Sequence, residues 1–354
     1  MKASLVCSLL VCVLLATGPS GAVLPQYRIM GVGVANSIAL SINDAGQVVG
    51  AMGSQAFLWD STNGARDLGP LGGYGGEAWS VNNSGQVAGR FYTAEGIYRA
   101  FVWDGTQGMQ DLGTLGGLCS WSYGINDYGQ ATGVSELLGS GIRAFVWDGL
   151  NGMQDIGTLG GRDSEGFAIN NSGQIVGRAD TATGESHAFI WSSATGTRDL
   201  GTLGQPSSTA YGINNLGQVA GASYTPSGWI RAFLCDDINP MQDLGALEDE
   251  WSEAAGINDY GQVVGWSRIA GVGDHAFIWQ DGIMRDLNQL IPGGSGWTLH
   301  NAVDINNHGR IAGIATNPMG QLEGFVLTLV PEPSGLLALA CGLGGVGMMW
   351  RRRG

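Results

Sequence analysis

A short polar turn recurs seven times along the chain and carries its most obvious candidate ligands. The pattern is [Ile/Val]-Asn-[Asn/Asp]-x-Gly-[Gln/Arg]-x-x-Gly, and its first asparagines are Asn43, Asn82, Asn126, Asn170, Asn214, Asn258 and Asn306. Amide and carboxylate oxygens bind calcium, but a calcium loop draws on several closely spaced carboxylates, and the copy Asn82-Asn83-Ser84 has none. Asparagine also caps its own backbone in turns, and glycine accepts a positive φ. The pattern therefore predicts a hairpin turn rather than a metal site.

The histidines and hydroxyl groups show no spacing that is typical of catalysis. His187, His275, His300 and His308 form no zinc-binding motif. His187 and His275 hold the same repeat position, which is mostly arginine elsewhere, so we expect a polar side chain at a strand start. The chain has no Gly-x-Ser-x-Gly motif and no phosphate-binding loop. We therefore expect no metal, no cofactor and no catalytic nucleophile.

Carboxylates are numerous, and glycosidase chemistry would need two of them roughly 5–10 Å apart. Many occupy repeated positions, which is typical of a structural role: Asp67, Asp111, Asp155, Asp199 and Asp243. The one cluster at non-equivalent positions is Glu248, Asp249 and Glu250 with Glu253. We expect this cluster to be a solvated loop, and the chain not to be an enzyme.

The charge balance excludes several classes of partner. Between residues 23 and 330 there are 12 arginines and 29 acidic residues, a net charge of −17, and the only lysine is Lys2. Such a surface repels phosphate groups, so nucleic acid is excluded as a partner. The same charge disfavours binding of this region to anionic lipid.

The chain has too few cysteines for disulfides to stabilise the fold, so a packed core must do so. Cys7, Cys12 and Cys341 lie near the ends of the chain, so only Cys119 and Cys235 remain in the middle. Two cysteines do not make a disulfide framework, and whether these two pair stays open. Cys235 stands where other repeats place tryptophan, so we expect it to be buried.

The turns belong to a larger repeat that must position them. Their intervals are 39, 44, 44, 44, 44 and 48 residues. Each turn is followed by an Ala-Phe-x-Trp-like segment, as at residues 56–59. In six of the seven repeats an Asp-Leu-Gly-like segment comes next, as at 67–69. In one unit we predict four strands, at residues 210–214, 218–224, 231–235 and 241–247.

Four short strands in about 44 residues predict a propeller blade. We therefore predict an all-β fold, a seven-bladed β-propeller over residues 23–330. The alternative is a β-solenoid, which shorter repeats would suit better. The last repeat lacks a fourth strand, and one extra strand precedes the first turn. Residues 27–33 are therefore predicted to pair antiparallel with 323–329 as the outer strand of the seventh blade.

The N-terminus has the pattern of a secretory signal peptide over residues 1–22. Lys2 supplies the positive start, residues 5–16 form an apolar run, and small residues place the cleavage after Ala22. A transmembrane anchor is the alternative, but the run is too short and lacks a stop-transfer flank.

The C-terminus, residues 331–354, has three ordered parts. Pro331, Glu332 and Pro333 precede an apolar run over 334–350, which ends at Arg351, Arg352 and Arg353. The run is just long enough to cross a bilayer, and the arginines would hold its end in the cytoplasm. A plain tail anchor would share this helix but would leave Pro-Glu-Pro unexplained.

Two family resemblances follow from these residues. The tail resembles the PEP-CTERM sorting signal of Gram-negative bacteria, which implies processing by an exosortase and an association with exopolysaccharide and biofilm. The repeats resemble the HAF-repeat family of probable extracellular repeat proteins, whose triplet occurs here as His187-Ala188-Phe189 and His275-Ala276-Phe277. Other copies replace the histidine, for example by Gln55 or Arg99. This family implies no defined activity.

Together these features predict an exported, non-enzymatic protein of the cell surface or extracellular matrix that is anchored transiently in the inner membrane. Its expected ligand is a polysaccharide or a surface protein, and Trp229 and Trp251 would suit sugar stacking. The alternative is a hydrolase or lyase acting on exopolysaccharide. A central pocket with non-equivalent carboxylates would favour the enzyme, whereas a ring of repeat-equivalent residues would favour a scaffold.

The tail generates a first prediction. In cells that contain an exosortase, surface protein should lack the apolar segment after Pro333, because processing removes it. Intact-mass measurement tests this, and surface protein that still carries Arg351, Arg352 and Arg353 would favour the plain anchor.

Overall fold

Seven four-stranded antiparallel sheets contain almost all of the regular structure. The structure, a computed structural model, describes residues 26–69, 73–248 and 250–331. One 3₁₀ helix, Leu287–Gln289, interrupts the strands of this part of the chain.

Each of the first six sheets, or blades, is made of four strands that follow one another in the chain. Blade 1 contains β2 (Ser37–Ile42), β3 (Val48–Met52), β4 (Gln55–Asp60) and β5 (Gly64–Asp67). Blade 2 contains β6 (Gly73–Val81), β7 (Val87–Thr93), β8 (Tyr98–Asp104) and β9 (Gly108–Asp111). Blade 3 contains β10 (Gly116–Ile125), β11 (Ala131–Leu137), β12 (Ile142–Asp148) and β13 (Gly152–Asp155).

The second half of the ring repeats this order. Blade 4 contains β14 (Gly160–Ile169), β15 (Ile175–Thr181), β16 (Ser186–Ser192) and β17 (Gly196–Gly201). Blade 5 contains β18 (Ser208–Ile213), β19 (Val219–Tyr224), β20 (Ile230–Cys235) and β21 (Gln242–Asp243). Blade 6 contains β22 (Ser252–Ile257), β23 (Val263–Ile269), β24 (Gly273–Gln280) and β25 (Ile283–Asp286). Blade 7 contains β26 (Thr298–Ile305), β27 (Ile311–Thr316), β28 (Leu322–Leu329) and β1 (Tyr27–Ala35).

The blades form a closed ring around a central cavity, because residues of all seven first strands line that cavity. The first strand of each blade is therefore innermost and the fourth is outermost. The predicted seven-bladed β-propeller is confirmed, and the β-solenoid is excluded.

The seventh blade is completed by the N-terminal strand. β1 pairs antiparallel with β28, from Tyr27 opposite Leu329 to Ala35 opposite Glu323, with a bulge after Gly31. The sheet order β1-β28-β27-β26 makes β1 the outer strand. The predicted pairing of residues 27–33 with 323–329 is confirmed, and β1 continues two residues further.

A phenylalanine from the third strand fills each blade interface. Phe57, Phe101, Phe145, Phe189, Phe233, Phe277 and Phe325 are all fully buried. Each stands opposite the last glycine of the turn pattern. A Cβ at Gly89, for example, would lie 2.0 Å from the Glu77 carbonyl oxygen and 2.8 Å from the Phe101 ring. Close packing of ring on backbone therefore requires glycine at this position.

The fourth strands are shorter than predicted. In blade 5 only Gln242–Asp243 is strand, whereas residues 241–247 were the expected span. The Asp243 carboxylate accepts the Gly245 N–H at 2.8 Å, and Gly245 has φ +79°. The Asp-Leu-Gly segment thus turns the chain toward the next blade, which ends the strand.

Several predicted features lie outside the described residues. These are the signal segment with Ala22, the apolar run 334–350, and Glu332, Pro333, Arg351, Arg352 and Arg353. Pro331 is the last described residue. Within the described ranges, no helix is both long and apolar enough to span a bilayer.

The closing strand generates a second prediction. Deleting residues 26–35 should destabilise every blade, because it exposes the edge of β28 and removes the buried side chains Tyr27 and Val32. Losing these two side chains alone should lower the free energy of unfolding by about 4 kcal/mol or more. Urea unfolding and backbone hydrogen exchange would measure the effect.

A circular permutant is the matched control. Since Tyr27 lies opposite Leu329, residues 26–35 joined after residue 331 by a short flexible linker should restore the blade and its stability. Unchanged exchange protection in all blades of the deletion variant would contradict the prediction.

Candidate functional site

The central cavity opens on the face of the propeller that carries the seven asparagine turns, which we name the turn face. Its volume is about 500 Å³, and its walls are the last residues of the seven first strands and the first two residues of each turn. Because the antiparallel strands alternate in direction, the loops that join second to third strands lie on the opposite face.

The seven turn asparagines form a closed ring of hydrogen bonds, the asparagine ring. Each side-chain Nδ2 donates to the backbone carbonyl of the equivalent asparagine in the next blade at 2.8–3.1 Å, and Asn306 donates back to Asn43. Each Oδ1 accepts the backbone N–H four residues later. All seven are 3–5% exposed. The predicted turns are present, but the same side chains also join the blades.

A second closed ring, the rim ring, lies one residue further along the turns. Its members are Asp44, Asn83, Asp127, Asn171, Asn215, Asp259 and Asn307. Each backbone N–H donates to the side-chain Oδ1 of the next member at 2.8–3.0 Å. No two carboxylates are adjacent in this ring, so each aspartate has only asparagine neighbours.

Four consecutive blades contribute an aromatic belt to the cavity wall: Trp79, Tyr123, Phe167 and Tyr211. Successive ring centroids are 5.2, 5.5 and 5.5 Å apart, the spacing of attractive aromatic pairs. Burial raises the pKa of Tyr123 to about 12, and the nearby Glu165 carboxylate adds to the shift. The equivalent positions in the other three blades are Leu40, Ala255 and Val303. The sequence analysis missed this belt, although aligning the repeats on their asparagines places all seven residues three positions earlier.

Blade 7 departs from the other repeats where it meets blade 1. Asp304 stands where other copies have serine, glycine or alanine, and its Oδ2 accepts from the Ser41 hydroxyl and the Ile42 N–H, both at 2.9 Å. Arg310 replaces the turn glutamine and donates to the Ala45 carbonyl at 3.3 Å. These contacts are specific to the joint between the last and first blades.

Asp304 is the one carboxylate of the cavity wall at a non-equivalent repeat position. Asp304 is half-buried, and burial of its carboxyl group raises its pKa. Its oxygens accept three hydrogen bonds, from Ser41, Ile42 and Ile305. The Asp304 carboxyl group therefore joins blade 7 to blade 1. The other carboxylates of the cavity wall occupy repeat-equivalent positions.

On the opposite face, Trp229 and Trp251 lie together, as part of a tryptophan patch with Arg268 and Asp274. The two indoles are 38% and 37% exposed, with ring centroids 6.2 Å apart. The Arg268 guanidinium lies 5.3 Å from the Trp251 ring, and its Nε donates to Asp274 Oδ1 at 2.8 Å. Both tryptophans are outside the core, as the sequence suggested.

The predicted acidic cluster is divided between two environments. Glu248 is exposed in the loop before β22, as expected for a solvated residue, and Asp249 lies outside the described residues. Glu253 is instead half-buried on β22. Burial raises the pKa of its carboxyl group, which the Trp266 side chain partly opposes by a hydrogen bond.

The two histidines at the shared repeat position pair with structural aspartates. His187 Nδ1 lies 2.9 Å from Asp199, and His275 Nδ1 lies 2.8 Å from Asp286. Arg99 makes the equivalent contact with Asp111 at 3.3 Å. This placement agrees with a polar role at the strand start. Across 26–69, 73–248 and 250–331, no three His, Cys, Asp or Glu side chains are grouped as metal ligands.

The two central cysteines are free thiols. Cys235 is buried in the tryptophan slot, as predicted, and Cys119 is half-buried. Burial raises the pKa of the Cys235 thiol to about 12, and Asp236 adds to the shift. A thiol held in its neutral form is a poor nucleophile, so Cys235 is a packing residue.

No protein-family model and no curated protein sequence matches this chain. Among solved structures, it is similar to the β-propeller domain of the Trilobed protease from Pyrococcus furiosus, with a TM-score of 0.56 and 10% identity over 84% of this chain and 98% of that domain. That domain is described as having an open velcro topology, whereas β1 closes the ring here.

Two further solved structures are similar over part of their length. A puromycin hydrolase mutant complexed with PGG has a TM-score of 0.53 and 15% identity, over 81% of this chain and 51% of that one. TolB from Acinetobacter baumannii has a TM-score of 0.47 and 10% identity, over 82% of this chain and 63% of that one. This chain thus spans less than two thirds of either protein. At these identities the likeness shows the fold alone.

The asparagine ring generates a third prediction. In Asn126→Asp, the new carboxylate would face two acceptors, Gln130 Oε1 and the Asn170 carbonyl, with no proton to donate. Leaving buried acceptors unpaired next to a charge should lower the free energy of unfolding by about 3 kcal/mol. Urea unfolding would measure it.

The adjacent isosteric change, Asp127→Asn, is the control. It places in the rim ring the residue that four other blades already have there, so stability should change by less than about 0.5 kcal/mol. Equal stability of the two variants would show that the asparagine ring is dispensable.

Proposed function

We propose that the chain is an exported, non-catalytic protein of the cell surface or extracellular matrix that binds a glycan through the tryptophan patch. The observation that carries the proposal is the exposed pair Trp229 and Trp251 beside the Arg268–Asp274 ion pair. Aromatic faces stack on sugar rings, and a neighbouring guanidinium and carboxylate can donate and accept hydrogen bonds with hydroxyl groups. The patch occurs at one blade interface rather than seven, as a ligand site would.

Export and surface sorting are supported by the two ends of the sequence. The signal peptide would direct secretion, and the Pro-Glu-Pro, apolar and arginine segments would make an exosortase the processing partner. The net charge of −17 supports a partner that is neither nucleic acid nor an anionic membrane.

The non-catalytic part rests on how the cavity wall is used. The asparagine and rim rings commit their polar groups to neighbouring blades, and Asp304 is committed to the joint with blade 1. A wall of repeat-equivalent groups, most of whose donors and acceptors are already paired with neighbouring blades, suits a scaffold better than a catalytic centre.

One observation favours an enzyme as a second candidate. Glu253 is a half-buried carboxyl with a raised pKa, and Asp274 contributes to the shift. A carboxyl group with a raised pKa beside a second carboxylate is the pair that glycoside hydrolysis uses. Glu253 also follows Trp251 of the tryptophan patch by only two residues in the chain.

The fourth prediction concerns purified residues 23–330 and the exopolysaccharide of the producing organism. We expect the protein to bind this polysaccharide without cleaving it. Trp251→Ala and Trp229→Ala should each weaken binding at least tenfold, about 1.4 kcal/mol, because the stacking surface is removed. Tyr128→Ala is the control, since Tyr128 is 76% exposed on the turn face. Co-sedimentation and calorimetry would measure the affinity.

A reducing-end assay on the same samples separates the two candidates. The scaffold should release no reducing ends, and Glu253→Gln should bind normally. Release by the parent protein that Glu253→Gln abolishes would establish the enzyme instead. Binding that survives both tryptophan substitutions would remove the patch as the glycan site.

A further inference from the structure

We propose that the central cavity on the turn face binds a small hydroxylated organic cation, such as an amino sugar or an amino alcohol. This site is separate from the tryptophan patch and on the other face, so it goes beyond the proposed function. It is argued from the shape of the cavity, its aromatic wall and its charge.

The wall is uneven, and this unevenness leaves room for a ligand. Blades 2 to 5 contribute the large rings of the aromatic belt, whereas blades 6, 7 and 1 contribute Ala255, Val303 and Leu40. The small residues leave a volume of about 500 Å³, within the range of roughly 300–1,000 Å³ that is usual for small-molecule pockets. A ring of seven equivalent aromatics would fill the same space.

The aromatic belt can attract a cation. The electron-rich faces of tryptophan, tyrosine and phenylalanine bind ammonium groups within about 6 Å, and this attraction grows when water is excluded. Tyr123 and Tyr211 are half-buried. Burial raises the pKa of both, and Glu165 and Glu253 add to these shifts, whereas Arg178 opposes them. Since Glu165 forms an ion pair with Arg178, the aromatic faces themselves supply the attraction for a positive charge.

The charges at the mouth of the cavity also favour a cationic ligand. Asp44, Asp127 and Asp259 stand around the rim, and the residues that line the cavity include no lysine, arginine or histidine. Of the nearby basic groups, Arg310 donates to the Ala45 carbonyl and His308 lies 3.9 Å from Asp44. Three carboxylates around a low-dielectric opening focus a field that concentrates cations and repels anions.

One rim carboxylate, Asp44, retains capacity for a ligand, whereas Oδ2 of Asp127 and Oδ2 of Asp259 each accept two asparagine amides at 2.9–3.2 Å. Asp44 Oδ1 accepts the Asn307 N–H at 2.9 Å, but Asp44 Oδ2 has only two long contacts, of 3.4 Å, with Asn83 and Asn307. A carboxylate has about four lone-pair positions, so an ammonium group can still donate to it.

A hydroxyl group on the ligand has a candidate partner in Trp79. This residue lines the cavity, and its indole Nε1 is enclosed by protein and donates to no described group. A buried donor without an acceptor costs free energy, which a ligand oxygen would recover once the indole turns its N–H toward the cavity. An amine that also carries hydroxyl groups therefore matches both parts of the site.

Calorimetry on purified residues 23–330 tests the proposal with four probes at millimolar concentration: glucosamine and ethanolamine as cations, and glucose and N-acetylglucosamine as neutral counterparts. At least one cation should bind with saturation at one site per chain, at least tenfold more tightly than the neutral sugars. Glucosamine alone would identify an amino sugar, and ethanolamine alone an amino alcohol. Binding of neither cation, or equal binding of the neutral sugars, would overturn the proposal.

Variants show whether the bound cation is in this cavity. The triple change Asp44→Asn, Asp127→Asn and Asp259→Asn keeps the rim hydrogen bonds that asparagine makes in other blades and should weaken binding at least tenfold. Val303→Trp should abolish binding by filling the space. Trp229→Ala should leave cation binding unchanged even where it removes glycan binding, so the two proposals fail separately. Cation binding that is unaffected by the triple change and by Val303→Trp would place the site elsewhere.

Discussion

The hydrogen bond from each turn asparagine to the next blade is the interaction on which the rest of this structure depends. Seven donors find seven acceptors only when the last blade meets the first, so the set is complete in a closed ring and in no open arrangement. Asn306 donating to Asn43 is the bond that completes it. These side chains are almost fully buried, and a buried amide without a partner is costly. The ring must therefore close for the turn asparagine at the inner end of every blade to find its hydrogen-bond partner.

Other features follow from that geometry. Fixing the asparagines at one radius also fixes the residue after each of them, which forms the rim ring, and the residue three positions before, which faces the cavity. A ring of seven members holds at most three carboxylates without placing two side by side, and the rim ring has three: Asp44, Asp127 and Asp259. Since adjacent like charges repel, this ring is as acidic as the spacing allows. The cavity and its charge are thus by-products of how the blades are joined.

The repeat and the closure of the ring could be predicted from the sequence because counting the strands of each repeat does not depend on where each strand begins or ends. One missing fourth strand and one extra N-terminal strand are visible without any structure, and so is Cys235 in a tryptophan slot. The inter-blade bonds could not be predicted, because an asparagine that only caps its turn and one that also bonds the next blade have the same sequence. The aromatic belt was hidden by a bulge in the first strands, which breaks the alternation at its own position. The fourth strands were overestimated because Asp-Leu-Gly carries an apolar residue yet forms a turn.

The closure also decides how the propeller carries mechanical load. β28 is hydrogen-bonded on one side to β1 and on the other to β27, and the chain leaves it at Val330 and Pro331. A pull directed along the strand axis at that point would load two ladders in shear, so many hydrogen bonds would have to break together before the strand moves. Were β28 an edge strand, a single ladder would resist the same tension. β1 and β28, which are about 290 residues apart in sequence, thus resist tension together at the point where the chain leaves the ring.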